Sequence, residues 1–184
     1  MGWVTPPVKI EEKYSRAARG GVGYAKAAGN YAAQFYPTQI AKDEGFQQII
    51  WTDSNNHNRV EEAGTMNLFF KINDTLITSP TSDSILDGVT RKSIIEIAKS
   101  INISVEERDI TVDELLTAHK SGTLKEIFGT GTAVTVLPIS GFGYRGNRFS
   151  IISNEEKTSD LLKIKLNNIQ LRCNSMVHFR RYDT

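Results

Sequence analysis

Cysteine is nearly absent from this sequence: Cys173 stands alone among 184 residues. That excludes a disulfide within the chain and argues against a cysteine-based metal centre. Histidine is scarce as well, and His57, His119 and His178 lie too far apart for ligand spacing. No apolar run approaches the roughly 20 residues that cross a bilayer, and MGWVTPPVKIEEKYSR lacks the apolar stretch of a signal peptide. Charge of either sign is not in excess: the formal net charge is +1, with no basic run to serve as a nucleic-acid footprint and no acidic tail. The expectation is a cytoplasmic protein with neither a nucleic-acid nor a membrane partner.

What is present suits a folded domain. Apolar residues make up 39% of the chain and charged ones 23%, an ordinary balance for a single domain with a substantial core. Residues 1–13 read as extended, because Pro6-Pro7 forbids an early helix. Gly20-Gly21-Val22-Gly23 is too glycine-rich for a helix or a strand interior and suggests close backbone approach. Asn30 offers an N-cap for a helix over Tyr31 to Asp43, with Pro37 forcing a kink or a first-turn break. Gln47 to Thr52 reads as a buried strand, DSNNHN as a polar turn, and Glu62 to Ile72 as one strand that pairs with TLITSP across Asn73-Asp74. Val89 to Ser100 has the apolar periodicity of a helix. VEERDI reads as a strand. Thr111 and Glu114 form a capping box that opens the helix TVDELLTAHK. Gly129 to Thr132 reads as a tight turn into the strand AVTVLPI, and Lys157 to Gln170 as the last helix. Helices and strands interleave without a linker, so one mixed α/β domain is expected.

Five places offer chemistry, each with an ordinary alternative. Lys26 in GYAKAAGNY is flanked by small residues, so its stem could reach a ligand lying over nearby backbone; a solvated surface lysine would look the same. Tyr31, five positions on, could touch a ligand held at Lys26 or could be a core aromatic. Glu62 could place a carboxylate against a basic ring nitrogen, or be as solvated as its neighbour Glu61 would be on a surface. Gly88-Val89-Thr90 combines a helix start with a hydroxyl, which suits a phosphate and equally a helix start with no ligand. Gly129-Thr130-Gly131-Thr132-Ala133 offers N–H groups and hydroxyls to an anion, or is an ordinary turn; it is not a P-loop, since no Gly-Lys-Ser/Thr follows.

Taken together and in order, GYAKAAGNYAA, WTDSNNHNRVEEAGTMNLFF, ILDGVTRKSI and FGTGTAVTVLPI resemble consecutive blocks of the class IV aminotransferases, which use pyridoxal 5'-phosphate (PLP). The EAGTMN block is similar to the branched-chain amino-acid aminotransferases in particular, and the likeness runs from about Val8 to Gln170. The resemblance implies an α/β fold of the D-amino acid aminotransferase type, a mixed sheet or pseudo-barrel with surrounding helices. It implies Lys26 as the Schiff-base lysine that also moves the Cα proton, Tyr31 as the donor to the cofactor's phenolic oxygen, and Glu62 as the acid at the pyridine nitrogen. Val89 and Thr90 correspond to donors to the phosphate, and Thr132 to a residue serving both phosphate and substrate. Thr132-Ala133 corresponds to the turn that binds the substrate carboxylate, and Thr65 lines the same site. The implied reaction transfers the amino group of leucine, isoleucine or valine to 2-oxoglutarate, in a homodimer. Mammalian members carry Cys-x-x-Cys after the Thr-Ala turn; Val134 and Leu137 stand there, so that redox control is not expected.

Two departures accompany the resemblance. Family members have a smaller N-terminal domain that gives an arginine to the cofactor phosphate and residues to the substrate pocket, and nothing here corresponds to it. Residues 1–170 then read as the PLP-binding large domain, which captures PLP but turns over little alone. Past Gln170 the family pattern stops, and 171–184 (LRCNSMVHFRRYDT) reads as a mobile tail in which Cys173 is incidental. Two alternatives stay open: another class IV enzyme (a D-amino acid aminotransferase or an aminodeoxychorismate lyase), or a non-catalytic domain kept for PLP binding or dimerisation.

Overall fold

The computed structural model describes residues 6–151 and 156–179, with side chains in the last helix through Leu171. The chain begins with β1 (Pro7–Ile10) and crosses a long glycine-rich loop to α1 (Ala28–Ala32), α2 (Phe35–Asp43) and β2 (Gln48–Thr52). Next come β3 (Val60–Ala63), β4 (Met66–Ile72), β5 (Thr75–Thr78), α3 (Val89–Ser100), β6 (Ser104–Glu107) and α4 (Val112–Lys120). The last elements are β7 (Leu124–Gly131), β8 (Thr135–Ile139), β9 (Gly141–Tyr144), β10 (Asn147–Ser150) and α5 (Thr158–Phe179). The strands form one mixed ten-stranded sheet, in keeping with the α/β expectation. β1 lies parallel to β2 and β9, and β5 parallel to β6, while β2 through β5 run antiparallel in order.

β4 organises the sheet. Its first residues pair with β3 and its last with β5 along one edge, while β7 pairs along the whole of the other edge. The two-residue period of a strand then divides the core between two faces. Leu68 and Phe70 point into the cluster that includes Val8, Ile50, Ile77, Leu115 and Ile127, beneath α4. Phe69 points the other way, into the cluster of Ile94, Ala98, Phe128, Leu162 and Leu166 beneath α3 and α5. Phe69 stacks on its cross-strand partner Phe128 with ring centroids 5.1 Å apart.

Several local expectations are revised. The segment Glu62 to Ile72 is not one strand: Gly64-Thr65 folds it into a hairpin, with Ala63 opposite Met66 and Glu62 opposite Asn67. Gly64 adopts φ +53°, a conformation that costs any residue with a Cβ. The expected turn at Gly129 to Thr132 lies further on, since Gly129 to Gly131 are the end of β7 and the chain turns after Gly131. β7 and β4 are both long enough to carry pairing that far. Asn30 is not an N-cap. Ala27 occupies that position, and the Asn30 side chain turns inward to donate to the Val22 and Ala25 carbonyls at 2.9 and 2.8 Å. Pro37 sits in the first turn of α2, where its missing N–H costs nothing, and the expected break falls just before it. α5 overruns its expected end at Gln170 because nothing in LRCNSMVHF stops a helix. The mobile tail expected over 171–184 thus begins as part of α5, whose backbone runs to Phe179, while the side chains from 172 onward and residues 180–184 lie outside the described residues.

No helix among the described residues is long and apolar enough to cross a membrane. The hairpin at Gly64 makes a paired prediction. Gly64→Ala should destabilise the chain by about 1–2 kcal/mol, because of its positive φ and because a Cβ would crowd the Gln48 side chain. Gly29→Ala, in α1 with open space around it, should instead stabilise by up to about 1 kcal/mol. Urea denaturation of both variants checks the contrast in sign.

Candidate active site

A cavity of about 310 Å³ opens between the glycine loop, the β3–β4 hairpin, the start of α3 and the end of β7. Lys26, Tyr31, Glu62, Thr65, Val89, Thr90, Thr132 and Ala133 all line it. These are the eight residues singled out from sequence, brought together from four separate segments. Arg16, Asn67 and Thr130 line it as well.

The glycine loop is held by its own backbone chemistry. At Gly23 an added Cβ would lie 2.6 Å from Ala17 Cβ and 2.6 Å from Ser84 Cα, so only glycine lets the loop pass this close to the 82–86 segment. Tyr24 N–H donates to the Asp83 carbonyl at 3.1 Å, and Asn30 ties the loop from inside through Val22 and Ala25. Lys26 emerges from this pinned loop exposed and takes part in no ion pair among the described residues. Tyr31 follows in α1, 39% exposed at the same rim.

Glu62 faces the opposite conditions. It is 3% exposed, and Oε1 accepts from Asn67 Nδ2 at 3.3 Å and from the Leu86 backbone N–H. Its Oε2 lies 3.1 Å from Arg16 Nη2, and Arg16 is itself buried. Burial pushes the Glu62 carboxyl up to about 7, against the lowering effects of Arg16 and the Leu86 N–H. Desolvation therefore outweighs a close ion pair, and the group is poised to gain or lose a proton near neutrality. Its neighbour Glu61 is not the solvated residue expected. It is equally buried, accepts from Ser84 Oγ at 2.6 Å, and burial raises its carboxyl too.

The start of α3 closes another side. Its N-cap is Gly88, no side chain caps the helix, and no acid lies in the first turn. The N–H groups at this end therefore have no helical partner and carry the positive end of the helix dipole. A Cβ at Gly88 would stand 2.1 Å from Asn67 Oδ1, so glycine lets the helix start sit against the Glu62–Asn67 pair. Within the first turn, buried Arg91 donates to the Ser79 carbonyl and to Glu107, both at 2.9 Å, which holds α3 in this direction. The Val89 side chain is 77% exposed, leaving its backbone as the part that can serve a ligand.

Glu62, Asn67 and Thr130 form a cross-strand row on β3, β4 and β7. Thr130 is 1% exposed, yet its hydroxyl has no partner among the described residues. A buried hydroxyl left unpaired is costly, and in a cavity it marks a place where a ligand or ordered water completes the bonding. An exposed amine, a buried carboxylate and an open helix start around one cavity fit a phosphorylated aromatic cofactor with a basic ring nitrogen. Among the described residues no group of three or more His, Cys, Asp or Glu could hold a metal ion.

Arg16 and Asn67 escaped the sequence reading, and Thr130 entered it only within the Gly129 to Ala133 segment. Asn67 was within reach: once Gly64-Thr65 is taken as a two-residue turn, Asn67 must stand opposite Glu62. Arg16 carried no signal, since it lies in irregular chain without periodicity.

Two outcomes are expected of the free chain. Glu62 titrates higher when folded than its ordinary 4.5, so the stability that goes with protonated Glu62 is present below pH 4.5 and is lost as pH rises through about 7. Glu62→Gln should lack this loss, gaining on the wild type by on the order of 3 kcal/mol at most across that window; denaturation at a series of pH values reads it. Thr130→Val removes the unpaired hydroxyl at nearly constant shape and should leave thermal stability unchanged or higher. A clear loss would mean that Thr130 has a structural partner.

Comparison with known proteins agrees with this geometry. Residues 5–142 match the amino-transferase class IV family. The chain is 43% identical over 159 residues to branched-chain-amino-acid aminotransferase 2 of Bacillus subtilis (strain 168), covering 85% of this chain and 43% of that protein. It is 44% identical over 156 residues to a probable branched-chain-amino-acid aminotransferase of Staphylococcus aureus (strain N315), covering 84% of this chain and 44% of that protein. The chain thus spans less than half the length of these relatives. Among solved structures, a branched-chain aminotransferase of Thermoproteus uzoniensis shares the fold with TM-score 0.74 at 23% identity, over 90% of this chain and 51% of that one. A T.th. branched-chain amino acid aminotransferase complexed with N-(5'-phosphopyridoxyl)-L-glutamate gives TM-score 0.72 at 26% identity, over 86% of this chain and 49% of that one. A family match across three quarters of the chain, resting on the segments that build this cavity, means that the protein belongs to the class IV aminotransferases.

Proposed function

We propose that this chain carries the PLP site of a branched-chain amino-acid aminotransferase, which transfers the amino group of leucine, isoleucine or valine to 2-oxoglutarate. The observation that carries the reading is the convergence of Lys26, Glu62 and the uncapped start of α3 on one cavity. The names of the relatives at 43–44% identity support the choice of substrate class. PLP, when bound, supplies an aldehyde that captures amines and a ring that takes up the electrons left when Cα loses its proton.

The residues present would divide the work by their surroundings. Lys26, on a loop pinned at Gly23 and Asn30, would bond the cofactor and, when free, move the proton at Cα. Glu62 would hold a proton at the ring nitrogen, which deepens the electron sink that the ring supplies. The Val89 and Thr90 N–H groups, the Thr90 hydroxyl and Thr132 would bind the phosphate at the positive end of α3. Tyr31 would donate to the phenolic oxygen. The Thr132-Ala133 turn would receive the substrate carboxylate, with Thr65 beside it. The partners on this reading are branched-chain amino acids, 2-oxo acids and a second copy of the chain, in the cytoplasm.

The test is capture and single turnover. PLP added to the 184-residue chain and fixed with borohydride should label the peptide containing Lys26, and Lys26→Ala should remove both the label and the visible absorbance of the bound cofactor. Excess L-leucine should discharge that absorbance while D-alanine leaves it. Labelling that survives Lys26→Ala would sink the assignment of the amine. Discharge by D-alanine instead of L-leucine would point to a different class IV activity.

A further inference from the structure

We propose that Arg16 is a positioning residue that locks the Lys26 loop and the Glu62 carboxylate into one unit, so that the amine and the acid are placed together. The inference deepens the PLP reading above, since it concerns the same cavity. Its basis is the convergence of three segments on one buried nitrogen. Nη2 of Arg16 donates to the Gly23 carbonyl at 3.1 Å and to the Ser84 carbonyl, and forms an ion pair with Glu62 Oε2 3.1 Å away. Gly23 belongs to the loop that carries Lys26. Ser84 belongs to the segment against which that loop is packed so closely that Gly23 has no room for a Cβ. Glu62 is the acid on β3.

A guanidinium 7% exposed is expensive to bury, and Arg16 Nε has no partner among the described residues. The site therefore tolerates a partly unsatisfied cation where a neutral side chain would fold more easily. Neutral packing would close the core but would leave Glu62 as a desolvated acid without a counter-ion. The other charged groups near Glu62 do not replace Arg16. Glu61, next to it on β3, repels its charge, and Lys26 and Asp87 line the cavity without pairing to it. Asn67 from β4 and the Leu86 N–H contribute neutral donors only. Arg91, at the start of α3, is committed to Ser79 and Glu107. Arg16 is thus the one cation among the described residues in contact with the acid, and it is also the tie between the acid and the loop.

The experiment uses the full chain and two readouts that need no cofactor: the carboxyl titration of Glu62 by NMR, and amide hydrogen exchange across residues 20–26. In Arg16→Met the Glu62 midpoint should move up by about one pH unit or more, because an adjacent cation favours the carboxylate. Exchange across the loop should quicken by roughly tenfold or more as the tie is lost. Arg16→Lys keeps the charge without the length of the guanidinium, so the Glu62 midpoint should return toward the wild type while loop exchange stays fast. A purely structural role would lower thermal stability in both variants and leave the Glu62 midpoint and the relative exchange of the loop unmoved; that result overturns the proposal. If Arg16→Met does not fold, Arg16→Lys decides alone, and wild-type loop exchange in it overturns the proposal. A third readout links it to the cofactor: PLP affinity should fall by about tenfold or more in Arg16→Met, as the buried acid loses its counter-ion. Absence of PLP capture by the wild type would overturn the cofactor reading, while the two cofactor-free readouts would still decide the role of Arg16.

Discussion

A carboxylate buried to 3% exposure is the constraint around which this site is built. Water cannot solvate Glu62, so protein groups must, and each comes from a different part of the chain: Arg16 after β1, Asn67 across the hairpin, and the Leu86 N–H before α3. Bringing these three together fixes where the glycine loop runs, how tightly the β3–β4 hairpin turns, and how near the start of α3 comes. The arrangement does not fully compensate burial, since the carboxyl still rises to about 7. That residue of uncompensated desolvation is what leaves the group able to exchange a proton near neutral pH.

The sheet makes such a gathering possible. β4 is flanked by β3 and β5 on one edge and by β7 on the other, so its alternating side chains fill a core on each face. Packing on both faces leaves the first residues of β4 rigid, and a rigid strand end holds the row Glu62, Asn67 and Thr130 in register. The stacked pair Phe69–Phe128 joins the two longest strands next to that row. α3 is anchored by Ile94, Ile95 and Ala98 below and by Arg91 at its first turn, which aims its free N–H groups at the cavity. Small residues at Gly23 and Gly88 permit backbone approaches that a single methyl group would prevent.

Much of this was visible in the residues. The α3 boundaries, the Thr111 cap with its bond from Glu114 N–H, the β4–β5 hairpin at Asn73-Asp74 and the eight cavity residues were all expected from pattern or resemblance. The errors share a cause. Reading Glu62 to Ile72 as one strand missed the turn at Gly64-Thr65 because no Asn-Gly or Asp-Gly pair marks it, although the apolar phase shifts between Ala63 and Met66. Reading Asn30 as a cap missed an amide turned inward to hold the loop. Glu61 was compared with a surface residue because its burial depends on the 82–86 segment, which folds over it from about 20 positions away.

Element types, most of the glycine positions that allow close approach, and the candidate residues Lys26, Glu62 and the threonines of the cavity could be named from the chain alone, the elements by local periodicity and the candidates by the order of their blocks. Three features came only with the folded arrangement: Glu62 buried against Arg16, Asn67 standing between Glu62 and the start of α3, and Thr130 keeping a hydroxyl unpaired. The reason is that desolvation and pairing are properties of a surrounding. Arg16, Glu62 and Ser84 come from three distant stretches of chain, and no local pattern in any one of them encodes the presence of the other two.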